Sequence, residues 1–314
     1  MKNLATRREF LRTTTAAGAT LLLARPSLGA KKKVLLFTKS SGFEHTVVKV
    51  TNGQPSIMET ALRGLADANG FELTATKDGT IFDSKEWTGH GFDAAVFFTT
   101  GDLTTPGTDK NPPMSPQGKQ ALLDAIQNGV GFVGVHAASD TFHTQPDPPD
   151  LSNRYVAHGE QSDAYLRMIG GEFIIHGQSK DPRLQTANVI IVDPKFPGLE
   201  GEKSPVSFTE EWYSLKDFAP DMHVTLVLDT STMNGNAYKR APYPVSWARM
   251  QGQGRVFFSA MGDRPENWSN KFMLDVLAGG IRWATRQVDA SIPPNLKTGA
   301  PGYAEIPPKY PPQK

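Results

Sequence analysis

The feature of this sequence that most limits its possible folds is the apolar run at residues 130–135, which ends at His136. Apolar runs of this length, bounded by glycine, predict strands that are buried on both faces, as in a parallel sheet covered by helices. Such sheets bind ligands beyond the carboxyl ends of their strands. The sequence therefore predicts that His136 faces a ligand crevice, with Ser139, Asp140 and His143 in the loop that follows.

Alternating strand and helix patterns extend this prediction through the first half of the chain. We expect strands at residues 33–38, 71–76 and 93–98, and helices at residues 55–69 and 115–128. Pro55 is expected in the first turn of the first helix, and Ser115 is expected to cap the second. This order of elements specifies βαβ units and a parallel sheet.

The second half of the chain is less regular. It predicts strands at residues 188–192, 224–229, 243–249 and 255–260, followed by an amphipathic helix at residues 270–286. The turn at residues 251–254 favours an antiparallel hairpin between the last two strands. Because we find no internal repeat and no linker, we expect one α/β domain at residues 31–288.

The last part of the chain is rich in proline: seven of the final 22 residues are Pro. Such a segment is typically extended, so we expect residues 289–314 to form a tail that either wraps the surface or is disordered.

The N-terminus carries an export pattern. Arg7 and Arg8 are followed by Phe10 and Leu11, as in a twin-arginine signal, and an apolar stretch and small residues extend to Ala30. About a dozen apolar residues are too few to span a bilayer, so we expect a cleaved signal over residues 1–30 and no membrane anchor. The predicted partner is the twin-arginine translocation machinery, and the predicted location is the periplasm.

Charge and cysteine content narrow the possible functions. Residues 1–30 hold five of the 33 basic residues and one of the 32 acidic ones, so the remaining chain has a formal charge of −3. This balance gives no indication of a nucleic-acid partner. The sequence has no cysteine, which excludes disulfides, a thiolate nucleophile and sulfur ligands to a metal.

Histidines and glutamates follow several of the predicted strands. If the strands are parallel, their exits share one edge of the sheet. The residues that would meet at that edge are His45, His136, His143, His176, Glu210 and Glu211. His90 and His223 have no such context, and we expect them to be surface or structural residues.

Imidazole and carboxylate groups in one crevice suit two kinds of chemistry. One is the binding of Zn²⁺, Mn²⁺ or Fe²⁺ through nitrogen and oxygen ligands. The other is metal-free acid–base catalysis. No HExxH pair is present to decide between them. Because GxGxxG and P-loop patterns are also absent, no nucleotide cofactor is expected.

Aromatic residues close to these positions indicate a carbohydrate ligand. Sugar rings pack their C–H faces on aromatic rings, while their hydroxyls bind carboxylates. Trp212 and Tyr213 lie beside the two glutamates, and Phe43 and Trp268 lie in neighbouring segments. Core packing at the end of a strand explains each aromatic residue equally well.

Several motifs together resemble one protein family. They are Gly42-Phe-Glu-His45, Gly134-Val-His-Ala-Ala-Ser-Asp-Thr-Phe-His143, Gly170-Gly-Glu-Phe-Ile-Ile-His176, Glu210-Glu-Trp-Tyr213, Pro244-Val-Ser-Trp247 and Gly252-Gln-Gly-Arg-Val-Phe-Phe-Ser-Ala-Met-Gly262. The chain resembles the ThuA-like (trehalose utilisation) proteins over roughly residues 33–285. The resemblance implies a flavodoxin-like α/β sandwich of the class I glutamine amidotransferase type. His136 replaces the nucleophilic cysteine of the amidotransferases, so glutaminase chemistry is excluded.

The resemblance also implies a role in carbohydrate metabolism, and the site residues follow from the positions described above. We expect His136, Asp140, His143 and Glu211 to be catalytic. We expect Phe43, Glu210, Trp212, Tyr213, Asp263 and Trp268 to bind the carbohydrate substrate. We expect His45, His136 and His176 to be the ligands if a divalent metal is bound.

Two positions depart from the family pattern. Where the pattern leads us to expect His-Pro, this chain has Phe196-Pro197, and where it leads us to expect Gly-His, the chain has Gly262-Asp263. Two functions therefore stay open. The first is an enzyme that acts on a sugar or keto-sugar glycoside by hydrolysis, elimination or isomerisation. The second is a non-catalytic carbohydrate-binding or accessory protein of the same fold.

Overall fold

The computed structural model describes residues 30–89, 91–146, 148, 150–178 and 181–310. The predicted twin-arginine segment, apart from Ala30, and His90 lie outside these residues. Within the described ranges, no helix is long and apolar enough to cross a membrane.

The described residues form eleven strands. They are β1 Lys32–Phe37, β2 Phe71–Thr76, β3 Ala94–Phe97, β4 Gly131–Val135, β5 Glu172–Ile175, β6 Leu184–Ile191, β7 Val206–Glu211, β8 Ser214–Lys216, β9 His223–Asp229, β10 Tyr243–Gln251 and β11 Gly254–Ser259. Nine of them form one sheet in the order β2-β1-β3-β4-β11-β10-β9-β6-β7, and β5 pairs with β8 separately.

The central sheet is parallel in its first half and antiparallel in its second. Strands β2, β1, β3, β4 and β11 pair in parallel. The pairings from β11 through β10, β9 and β6 to β7 are antiparallel, so β10 and β6 run against the direction of the other strands. The β10–β11 hairpin predicted from its turn is confirmed.

Helices cover both faces of this sheet. They are α1 Ile57–Asn69, α2 Lys85–Thr88, α3 Pro116–Gln127, α4 Ala164–Ile169, α5 Lys271–Ala284 and α6 Leu296–Gly299. Ser115 caps α3 as predicted, with Pro116 in its first turn. Pro55, however, precedes the N-cap Ser56 of α1 and lies outside the helix.

The two faces are visible at β11, where successive side chains point in opposite directions. A Cβ on Gly280 of α5 would lie 2.2 Å from the Phe257 ring, and a Cβ on Gly134 would lie within 3 Å of both Phe258 and Ile169 of α4. Helices α5 and α4 therefore pack tightly on opposite faces. The predicted three-layer α/β sandwich with a mostly parallel central sheet is confirmed.

Part of the β6–β7 pair extends beyond the carboxyl end of β9. Asn188 of β6 pairs with Asp229, the last residue of β9, whereas residues 184–187 pair only with β7. This projecting part of the β6–β7 pair carries the end of β7 past the carboxyl ends of the neighbouring strands. Glu211, the last residue of β7, can therefore reach the end of β4 although the two strands are not adjacent in the sheet.

The described part of the C-terminal tail lies against the domain. The Asn295 side chain forms hydrogen bonds with the backbone of Val224, and Leu296 and Ala300 are buried. The tail therefore wraps the surface up to residue 310.

Candidate functional site

The strand β4 ends in a strained turn that places His136 at the edge of the sheet. His136 has a φ of +43°, and a short 3-10 helix, His136–Asp140, follows directly. This left-handed conformation costs a residue with a Cβ about 1–2 kcal/mol. Strain of this kind persists where the surrounding structure enforces it, and it clusters at functional sites.

The His136 ring is fully buried but keeps one nitrogen without a partner. Its Nδ1 donates a hydrogen bond to the Ala260 carbonyl oxygen at 2.8 Å, and the Tyr213 ring packs on it at 4.1 Å. Nε2 has no hydrogen-bond partner and faces Glu211 Oε2 at 3.8 Å. His136 is 0% exposed in this structure, and the Tyr213 ring packs against it, so Nε2 faces the buried Glu211 carboxylate rather than open solvent.

His45 and Asp263 complete a group of four around this nitrogen. His45 Nε2 lies 3.3 Å from the Tyr213 hydroxyl and 3.9 Å from Asp263 Oδ1. One ligand atom from each of His45, His136, Glu211 and Asp263 lies within 4.8 Å of the others. The Asp263 side chain is 24% exposed, so the group opens to solvent on the Asp263 side. We call these four residues the central cluster.

Glu211, the last residue of β7, is bound by an arginine that is not part of the central cluster. Its Oε1 accepts hydrogen bonds from Arg183, with distances of 2.7 Å to Nε and 2.6 Å to Nη2. Its Oε2 is buried without a partner and points at His136. The sequence reasoning missed Arg183 because no local motif marks it; it precedes β6 and reaches Glu211 through the β6–β7 pairing.

Burial and mutual charge shift the pKa values of the central cluster. Burial, together with the charge of His136, lowers the pKa of His45 to about 3. Burial also acts to lower the pKa of His136, but the Glu211 and Asp263 carboxylates outweigh it and raise that pKa to about 9. Burial acts to raise the pKa of Glu211, but His136 lowers it to about 2. Near neutral pH, the Glu211 carboxylate therefore faces a protonated His136.

A second set of charges lies beside the central cluster. His143 Nε2 donates to Asp140 Oδ1 at 2.5 Å, and its Nδ1 donates to Glu172 Oε1 at 3.0 Å. Because both ring nitrogens face carboxylates, the ring must be an imidazolium. Burial opposes this, but the two hydrogen bonds raise the pKa of His143 to about 9. His143, predicted to be catalytic, is therefore a buried cation between two carboxylates and is not one of the four residues of the central cluster.

The charges continue from Glu172 to a buried lysine. Glu172 on β5 and Lys216 on β8 pair across the small sheet, and Lys216 Nζ lies 3.3 Å from Glu172 Oε2. His158, Glu172 and Asp217 hold ligand atoms within 4.8 Å of one another. The Lys216 ammonium lies within hydrogen-bonding or ion-pair distance of all three, so the cation of this group is the lysine itself.

Three of the predicted carbohydrate ligands are structural. The Trp212 indole is 0% exposed and donates to the Gln185 carbonyl, and the buried Trp268 indole donates to the Gly262 carbonyl. Both oxygens of the buried Glu210 accept hydrogen bonds, from Glu211 N and from Gly262 N. The polar atoms of these three side chains are hydrogen-bonded to the protein itself, so in this structure none of them is directed at a ligand.

The other three predicted carbohydrate ligands lie at the central cluster: Asp263 is one of its members, and Tyr213 and Phe43 are beside it. Tyr213 packs between His136 and Phe173, and its hydroxyl approaches His45. Phe43 is 64% exposed, and its ring centroid lies 5.0 Å from that of His45. An exposed aromatic ring beside a polar site is the arrangement that a sugar face requires.

His176 lies near the central cluster but is not one of its four members. Its Nδ1 is 2.9 Å from the Gly177 carbonyl oxygen, and its ring stacks on Tyr213 at 5.9 Å. Among the described residues, the atoms that converge with His45 and His136 belong to Glu211 and Asp263. The group of potential ligand atoms that contains His45 and His136 therefore includes these two carboxylates and not His176.

Comparison with known proteins identifies the family of this chain. The family model described as trehalose utilisation (ThuA) matches residues 33–284. The chain belongs to the ThuA family. None of the curated proteins compared with it is similar in sequence.

Two solved structures show the same fold. A ThuA-like protein from Bacteroides uniformis is 18% identical with a TM-score of 0.55, over 88% of this chain and 99% of its own. A ThuA-like protein from Parabacteroides merdae is 14% identical with a TM-score of 0.51, over 89% of this chain and 98% of its own.

The two departures from the family pattern have different consequences. Phe196 is buried and stacks on Phe257 at 5.5 Å, on the sheet face covered by α5. The departure there leaves the central cluster unchanged. Asp263, in contrast, lies within the central cluster and supplies a carboxylate where the pattern leads us to expect histidine.

Proposed function

We propose that this ThuA-family chain is an exported enzyme that acts on a sugar or keto-sugar glycoside at the central cluster, by hydrolysis, elimination or isomerisation. The observation that carries the proposal is the pair of buried, unpartnered atoms His136 Nε2 and Glu211 Oε2, which face each other at 3.8 Å. A buried polar atom without a partner costs about 1–3 kcal/mol. Both atoms gain a partner when a polar substrate group enters.

The surroundings of the pair fit a carbohydrate. Phe43 offers an exposed ring for the C–H face of a sugar, and the partly exposed Asp263 carboxylate can accept a sugar hydroxyl. His45 and Tyr213 supply further hydrogen-bonding groups on the buried side. The solvent-facing side of the central cluster therefore offers an aromatic ring and a carboxylate, as a sugar requires.

The same groups suit proton transfer beside a keto group. A carboxylate on the solvent-facing side of the central cluster, such as Asp263, takes the proton from the carbon next to the carbonyl. The electron pair of that C–H bond forms a carbon–carbon double bond, and the carbonyl π pair moves onto the oxygen. Donors of the central cluster stabilise the resulting oxyanion. In one outcome the electron pair returns and expels a glycosidic oxygen, which takes up a proton. In the other, the oxyanion takes up the proton that the hydroxyl on the neighbouring carbon gives up, and a proton adds to the former carbonyl carbon. The first outcome is elimination and the second is isomerisation.

A substrate screen tests this proposal. The chain from residue 31 onward is incubated with trehalose and with 3-keto disaccharides, and products are followed by NMR. Glu211→Gln is expected to lower turnover by about 100-fold or more. The matched control is His223→Gln, because His223 pairs with Asp193 and the Pro293 carbonyl at the opposite edge of the sheet.

The outcomes separate the two functions left open by the sequence. Turnover by wild type and by His223→Gln, but not by Glu211→Gln, supports an enzyme. Carbohydrate binding that depends on Glu211 without any turnover favours the binding or accessory protein. Turnover that is unchanged in Glu211→Gln would place the chemistry elsewhere and overturn the proposal.

A further inference from the structure

We infer that His45, His136, Glu211 and Asp263 form a binding site for one divalent transition-metal ion. This ligand set differs from the three histidines that the sequence suggested, because two carboxylates take the place of His176. The inference rests on the proposed function only in that the same site would act on the carbohydrate. Metal binding can be measured without any substrate.

The spacing of the four ligand atoms is close to that of a metal centre. Zinc–nitrogen and zinc–oxygen bonds of about 2.0–2.2 Å place two ligands of one ion no more than about 4.4 Å apart. The four atoms lie within 4.8 Å of one another, and the His136 Nε2 to Glu211 Oε2 distance is 3.8 Å. Side-chain movements of about half an ångström would complete the coordination.

Two of these ligands, His136 and Glu211, are oriented by hydrogen bonds from outside the central cluster. The Ala260 carbonyl accepts from His136 Nδ1, which holds a proton on that nitrogen. The proton that metal binding displaces is therefore the one on Nε2, and its loss leaves the Nε2 lone pair directed into the central cluster. Arg183 binds Glu211 Oε1, which leaves Oε2 free. Metal-binding histidines and carboxylates are characteristically oriented by such outer hydrogen bonds.

A comparison within the chain shows what distinguishes this site. The group formed by His158, Glu172 and Asp217 is spaced as closely, but the buried Lys216 ammonium lies among its members. In the central cluster, the nearby cation Arg183 binds the outer oxygen of Glu211, on the side away from His136. The inner oxygen and the facing His136 nitrogen are both unpartnered.

The donor chemistry and the exposure indicate which ion fits and how it is reached. Two imidazole nitrogens and two carboxylate oxygens suit Zn²⁺, Mn²⁺ or Fe²⁺. Two carboxylates balance the two charges of such an ion. The partly exposed Asp263 marks the entry side, where a substrate oxygen could share the ion. When bound, the ion would supply Lewis-acid polarisation of that oxygen.

The test measures metal binding by the purified chain in the absence of carbohydrate. The protein is stripped with EDTA, titrated with Zn²⁺ and with Co²⁺, and followed by calorimetry and by the visible spectrum of bound Co²⁺. We expect one ion per chain. Asp263→Asn and His45→Gln are each expected to weaken binding by about 100-fold or more, since loss of even an outer partner of a ligand costs about 10–100-fold.

Matched controls separate this site from its alternatives. His176→Gln tests the ligand set suggested by the sequence, and Asp193→Asn removes a similarly exposed aspartate that pairs with His223. Both are expected to bind Zn²⁺ like wild type. If His45→Gln does not fold, Asp263→Asn decides, because its side chain is partly exposed.

Three results would overturn the inference: less than one ion per chain, equal affinity in Asp263→Asn and wild type, or loss of binding in His176→Gln. Turnover of a keto-disaccharide by EDTA-treated protein that binds no Zn²⁺ would reject the metal site and keep the proposed enzyme. Stoichiometric Zn²⁺ binding without turnover of any carbohydrate would keep the metal site and reject the enzyme.

Discussion

Replacement of His143 by Gln is the change whose effect the structure defines best. The imidazolium lies between Asp140 and Glu172, is 14% exposed, and has Arg154 and Lys216 as the neighbouring cations. Removing one partner of a buried ion pair costs about 3–5 kcal/mol, because the remaining charge loses its compensation. We expect His143→Gln to lower the free energy of unfolding by this amount at pH 6.

The difference between wild type and His143→Gln should shrink as the pH rises. The folded-state pKa of His143 is about 9, above its ordinary value of 6.5. The stabilisation is therefore complete below pH 6.5 and is lost as the pH rises to about 9. Each pKa unit corresponds to 1.36 kcal/mol, so the wild-type advantage should fall by about 3 kcal/mol over this range.

Urea unfolding of both proteins between pH 6 and pH 9 measures this difference. Glu172→Gln, alone and combined with His143→Gln, provides the control, because the two changes should be strongly non-additive if the ion pair exists. A wild-type advantage that is the same at pH 6 and pH 9, or additive effects of the two substitutions, would refute the assignment of His143 as a buried cation.

Three further predictions concern stability, binding and export. Trp212→Phe should destabilise the protein by about 1 kcal/mol, through loss of the hydrogen bond to Gln185, and leave carbohydrate affinity unchanged in a binding assay. Phe43→Ala should change the unfolding free energy by less than about 0.5 kcal/mol. The same substitution should weaken carbohydrate binding in calorimetry, and unchanged affinity would remove Phe43 from the site. Replacement of Arg7 and Arg8 by Lys should leave unprocessed precursor in the cytoplasm on cell fractionation, and an unchanged periplasmic yield would contradict export by this route.

The regular elements were predictable because their signals are local. Ser115 and Pro116 mark the start of α3, and the apolar run of β4 needs only its own residues to be recognised. The antiparallel second half of the sheet was predicted only at the β10–β11 hairpin, where the turn lies within the sequence. The β6–β7 pairing is joined by the long connection at residues 192–205, and the β6–β9 pairing passes over β7 and β8 in the chain, so no tight-turn pattern specifies either pairing.

The sequence predicted which segments of the chain form the site, but not which of their side chains face one another. Because parallel strands end at one edge, the sequence could bring His45 and His136 together. It placed Glu211, which faces His136, in the site, but it also placed the neighbouring Glu210 and Trp212 there, although successive residues of a strand point to opposite faces. His176 follows β5, which lies outside the central sheet, so the shared-edge argument did not apply to it.

The central claim is that carbohydrate chemistry takes place at the central cluster. The most direct test is kcat/KM of Asp263→Asn on a keto-disaccharide, measured beside Asp193→Asn, in which a similarly exposed aspartate is lost at the opposite edge of the sheet. We predict that Asp263→Asn melts near the wild-type temperature and loses about 100-fold or more in kcat/KM, while Asp193→Asn keeps its activity. Wild-type kcat/KM in Asp263→Asn, or an equal loss in folded Asp193→Asn, would contradict the claim.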